Sequence, residues 1–106
     1  MSRAIVIRSG AMREIARIAR SISAHVSDTS ARRWRNRIES AIADLAFDAV
    51  QWPEADEAAK LGHDLRCRYV GRRRHVYRIL FFVHVDTVEV LRIRHSSQDY
   101  LTADDL

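Results

Sequence analysis

The chain has 106 residues, a formal charge of +4 and one cysteine, Cys67, which excludes an internal disulfide and a thiolate metal cluster. That length suits one domain around one core, residues 1–106, and scarce Gly and Pro mark no internal boundary. No apolar run approaches the ~18 residues needed to span a bilayer, and Met1 to Ile7, interrupted by Arg3, are too short for a secretory signal, so a cytoplasmic protein with no membrane partner is expected.

Residues 4–8 open the structured part, with Ile5, Val6 and Ile7 suited to a strand buried on both faces. Ser9 is placed to cap a helix. Ile15, Ile18, Ala19, Ile22 and Val26 then recur at helical spacing while Arg13, Arg17 and Arg20 point to water. This first amphipathic helix should end near residues 25–27, where Ser27, Asp28 and Ser30 offer caps for a second. The second helix gathers Ala31, Trp34, Ile38, Ala41, Ile42 and Leu45 on one side, which makes Trp34 a core anchor and the pair of helices a hairpin. Trp52-Pro53 opens an irregular acidic stretch through Glu54, Asp56 and Glu57 that runs to Gly62.

From residue 65 to residue 95 the chain is both β-like and basic. Turns at Gly71–Arg74 and around Asp86-Thr87 divide it into three strands rich in β-branched and aromatic residues. Cys67 reads as a core residue of the first. In the middle run Tyr77, Ile79, Phe81 and Val83 alternate with Arg78, Leu80, Phe82 and His84, so both faces are apolar and the strand should be central. The far side should then be partly covered, by the tail at Tyr100-Leu101 or by another protein; Leu80 and Phe82, if left uncovered, would form an apolar patch fit for a partner. Eight arginines fall in this segment against Asp86 and Glu89, and period-2 alternation places Arg66, Arg68 and Arg78 on one side of the sheet as a hollow for phosphates. Further acids, Asp99, Asp104 and Asp105, collect in the tail, residues 98–106, which either folds back or stays loose. His25, His63, His75 and His84 lie on separate elements without ligand spacing, so neither metal nor cofactor is expected.

The β-α-α-β-β-β order, the V-Y-R-I-L-F-F of residues 76–82 and the V-L-R-I-R-H of residues 90–95 resemble the RelE/ParE toxin superfamily over nearly the whole chain. The resemblance implies an α+β, two-layer fold with a helical hairpin packed on a curved, mainly antiparallel four-stranded sheet. It also implies a toxin of a bacterial or archaeal type II toxin-antitoxin module, of the plasmid-stabilisation type. RelE-like members cleave messenger RNA in the ribosomal A site, whereas ParE-like members poison DNA gyrase.

Carried onto this chain, the resemblance gives Arg78, His95 and Tyr100 catalytic roles in metal-free RNA cleavage. Arg66 and Arg68 become phosphate ligands; Arg73 and Arg94 of the same basic segment are expected to join them, and Leu80 and Phe82 to form the contact for an acidic antitoxin that folds on binding. Ser96-Ser97-Gln98 departs from the family's basic continuation and removes a phosphate-binding arginine that many active nucleases keep. Two activities are therefore expected in order: a ribosome-dependent endoribonuclease acting on mRNA, and, as the alternative, a gyrase inhibitor or a decayed toxin that keeps only its antitoxin. In each case a toxin–antitoxin hetero-oligomer is implied.

Overall fold

The computed structural model describes residues 2–98 and 100–106; Met1 and Asp99, the latter read above with the acidic tail, lie outside the described residues. Strand β1 is Ala4–Ile7, helix α1 Ser9–His25, helix α2 Asp28–Asp48, the single-turn helix α3 Ala58–Leu61, and strands β2, β3 and β4 are Leu65–Arg72, His75–Val83 and Thr87–His95. The sheet runs β1-β4-β3-β2, with β1 parallel to β4 and the other neighbours antiparallel. This is the expected α+β arrangement of a helical hairpin on a mainly antiparallel four-stranded sheet.

Local chemistry sets the boundaries. Ser27 accepts a hydrogen bond from the Ser30 N–H at 3.0 Å and starts α2 as expected of a cap. Ser9, in contrast, lies inside α1, whose cap position is Arg8 and carries no side-chain cap. Val26 ends the helix and is 70% exposed, so it leaves the apolar stripe. The remaining stripe residues pack on the sheet: Ile15, Ile18, Trp34, Ile38 and Leu45 meet Tyr77, Ile79, Phe81, Val88, Val90 and Ile93 in the main core.

The opposite face of the sheet is covered too. Leu65, Cys67, Leu80 and Leu91 pack under Ala55, Ala58 and Leu101, with Leu61, Phe82 and Leu106 at the margin. Leu80 is fully buried, which corrects its expected place in an open patch: the irregular stretch after Pro53 and residues 101–106 already close over it. The tail therefore folds back where it is described. Thr102 and Asp105 form a reciprocal cap around a short 3-10 turn, Ala103–Asp105.

The β2–β3 hairpin has a two-residue loop, Arg73-Arg74, because Arg72 pairs with His75. Arg73 takes φ 56°, and Gly71 at φ 112° lies so close to the His75 carbonyl that a Cβ there would overlap it. Only glycine fits that position.

Candidate functional site

The hairpin register decides which arginines can act together. An even-numbered residue on β2 pairs with an odd-numbered one on β3, Arg66 with Phe81 and Arg68 with Ile79. Arg66 and Arg68 therefore emerge on the helix-covered face, whereas Arg78, opposite Tyr69, emerges on the other. The expected shared face for Arg66, Arg68 and Arg78 is corrected by this pairing.

Each of the three is held internally. Arg66 donates from Nη1 to the carbonyls of Val50 and Trp52, at 3.2 and 2.8 Å, and so satisfies acceptors just beyond the end of α2. Arg68 donates to the Ala41 carbonyl at 3.0 Å, approaches Asp44 at 3.5 Å and stacks on the Trp52 ring at 4.7 Å. Arg68 thus pins the second half of α2, and Arg66 the segment just beyond it, to the sheet edge.

Arg78 is buried, with 2% of its surface exposed, and pairs with the equally buried Glu57. Burial works against the charge of each, but their mutual hydrogen bond and attraction prevail: Arg78 binds its proton more tightly than usual and Glu57 is held below the ordinary carboxylate value. Glu57 also accepts the Leu101 N–H at 2.9 Å. Tyr100 closes the assembly from outside, with its ring 5.2 Å from the guanidinium carbon and its hydroxyl donating to Asp56 at 2.9 Å. The hydrogen bond to Asp56 raises the Tyr100 pKa, which favours the neutral phenol over a phenolate base.

A bulge sets the last strand. Phe81 pairs with Val90 but Leu80 with Arg92, so Leu91 is the extra residue. Beyond it Arg94 lies opposite Arg78, and His95 lies opposite Tyr77 on the helix-covered face. His95 is fixed there: Nε2 meets the Arg74 carbonyl and Nδ1 the Ser97 hydroxyl, both at 2.7 Å, and its ring stands edge-on to Tyr77 at 5.1 Å. The sheet thus separates His95 from Arg78 and Tyr100, the three residues expected to share a catalytic centre.

Arg94 and Arg92 belong to a network that sequence reading missed. Glu14 of α1, 8% exposed, accepts the Ile93 N–H at 3.0 Å on the edge of β4 that β1 leaves open, and its other oxygen lies 3.3 Å from Arg94. Asp105 takes Arg94 at 2.8 Å through its carboxylate and Arg92 at 3.1 Å through its carbonyl. Glu14 stood on the apolar stripe of α1 between Ile15 and Ala11, and a glutamate in that position was the available signal. Of the expected phosphate ligands, only Arg73, at the exposed hairpin tip, stays open to solvent. Phe82 of the expected antitoxin contact is half-buried, beside His63 and His84. Among the described residues no group of three His, Cys, Asp or Glu side chains is placed to hold a metal ion, and no helix is long and apolar enough to cross a membrane.

The family model described as ParE toxin of type II toxin-antitoxin system, parDE, matches residues 5–100. Among solved structures the chain is similar to one described as the chromosomal ParDE TA system from P. aeruginosa. That match has a TM-score of 0.68 at 16% sequence identity, covering 89% of this chain and 96% of the other. No curated protein sequence gives a significant match.

Proposed function

This chain belongs to the ParE toxin family of type II toxin-antitoxin systems, and on that premise we propose that it stops growth by binding DNA gyrase rather than by cutting messenger RNA. The observation that carries this reading is the division of the catalytic set. His95 sits on the helix-covered face bonded to the Arg74 carbonyl, while Arg78 sits on the far face bonded to Glu57. Metal-free cleavage asks for an acid, a base and phosphate-binding cations around one phosphorus atom, within hydrogen-bond reach. Inhibition by binding asks for none of them.

A cytoplasmic antitoxin with an acidic segment completes the reading, because a basic toxin is neutralised by such a chain and held with it in a hetero-oligomer. Phe82 remains available to it, whereas Leu80 does not.

The test is to induce the chain alone, map transcript 5′ ends, and follow supercoiling by purified gyrase with added toxin. Loss of supercoiling, no new 5′ ends and undiminished toxicity of His95→Ala are expected. New 5′ ends inside translated frames that vanish in His95→Ala would restore the nuclease reading.

A further inference from the structure

Arg66, Arg68, Arg78, Arg92 and Arg94 of the sheet are consumed internally, so the outward basic character of the chain resides elsewhere. Most of it is gathered at one end of the molecule. Arg32, Arg33, Arg35 and Arg37 are exposed in the first half of α2, and Arg17 and Arg20 in the second half of α1. Arg72, Arg73 and Arg74 are exposed at the β2–β3 loop.

A chain of contacts ties these elements together. Trp34 of α2 meets Tyr77 of β3 edge-on at 5.2 Å, Tyr77 meets His95 at 5.1 Å, and His95 bonds the Arg74 carbonyl at 2.7 Å. Arg20, Arg32 and Arg35 line one groove of about 310 Å³ between the helices. Arg33 and Arg37, four residues apart, share another face of α2. Of these side chains, Arg35 alone is paired to a carboxylate among the described residues, with Glu39 at 3.1 Å.

We propose that this arginine end is a binding surface for the phosphate backbone of duplex nucleic acid. Guanidinium groups pair with phosphate oxygens in a forked geometry, and a patch rich in them with few acids draws a polyanion from a distance. A single-stranded ligand would ask for exposed rings on which bases stack. The exposed Phe and Tyr rings lie elsewhere: Phe47 near the end of α2, Tyr100 over Arg78, and Tyr69 opposite Arg78 on the far face of the sheet. The surface thus reads the backbone and not sequence. It stands on charge placement alone, whatever the toxin's target, and lies apart from Phe82.

Fluorescence anisotropy with a labelled duplex of mixed sequence, across a series of salt concentrations, tests the assignment. If about six phosphates are neutralised, log K should fall with log salt at a slope near −5, roughly −0.9 for each contact. The variant Arg72→Ala/Arg73→Gly/Arg74→Ala should lower the slope by about 2 to 3 units, and Arg33→Glu/Arg37→Glu should abolish binding at moderate salt. Arg8→Ala, at a residue paired with Glu89 at 3.0 Å, should leave the slope unchanged. Near-ultraviolet circular dichroism on each variant separates loss of the surface from loss of the fold.

Four outcomes would overturn the proposal: no duplex binding at low salt, a slope that neither variant alters, tighter binding of single-stranded RNA, or tighter binding of polyglutamate. The last would assign the surface to an acidic protein instead. Gyrase inhibition can persist or fail independently of each outcome.

Discussion

Removing the carboxylate of Glu57 tests whether Arg78 is a structural ion or a phosphate ligand in waiting. Both side chains are almost wholly buried, at 3% and 2% exposure, so Glu57→Ala leaves a guanidinium charge stranded away from water. Breaking a buried pair from one side costs about 3–5 kcal/mol. The Leu101 N–H also loses its acceptor, at a cost of about 1 kcal/mol. For a domain of this size each kcal/mol moves the midpoint by roughly 4–8 °C, so the combined loss of about 4–6 kcal/mol should lower it by about 15–50 °C. Thermal and urea melts followed by near-ultraviolet circular dichroism measure it. The double variant Glu57→Leu/Arg78→Met, which replaces the pair with apolar groups, should recover most of the loss. A cost for Glu57→Ala below about 1 kcal/mol, the range of exposed ion pairs, would refute the reasoning and return Arg78 to the pool of available cations.

Acid should loosen the same region. Glu57 and Asp105 both have carboxyls held below their ordinary values, Glu57 by Arg78 and the Leu101 N–H against the opposing effect of burial, Asp105 chiefly by the Thr102 N–H. Their contribution to stability is therefore complete above the unfolded value, 4.5 for the glutamate, and is lost as pH falls through the depressed folded values. The protection of the Leu101 amide against hydrogen exchange, relative to its intrinsic rate at each pH, should fall in that window, and Asp105→Asn should flatten part of the dependence. Gly71→Ala should cost more than about 2 kcal/mol in a denaturant melt, since it combines an overlapping Cβ with a left-handed backbone angle. Ser27→Ala should cost about 1 kcal/mol in the same assay through loss of the α2 cap.

Most of the fold was legible because its signals are local. The stripe Ala31, Trp34, Ile38, Ala41, Ile42 and Leu45 is the buried face of α2, and the alternation through Tyr77, Ile79 and Phe81 is the helix-facing side of a central strand. The site was not legible because it depends on register. A loop of three residues in place of the two, Arg73-Arg74, would leave the strands themselves unchanged, yet it would put Arg68 and Arg78 on one face. The bulge at Leu91 changes alternation a second time, and no residue type announces it. Carboxylates brought from far along the chain, Glu14 to Arg94 and Glu57 to Arg78, lay beyond any local pattern.

Strand β1 pairs in parallel with β4, Ala4 beside Thr87 and Ile7 beside Val90, so Ala4–Ile7 have no partner strand until residues 87–90 have been made. Pairing across such a separation is slow to nucleate because the intervening loop must be ordered first. The nascent chain therefore passes most of its synthesis without a closed sheet, and growth arrest should require translation through residue 90. A chain ended before Thr87 would leave Ile5 and Ile7 beside no strand, open to proteases before it could become a poison.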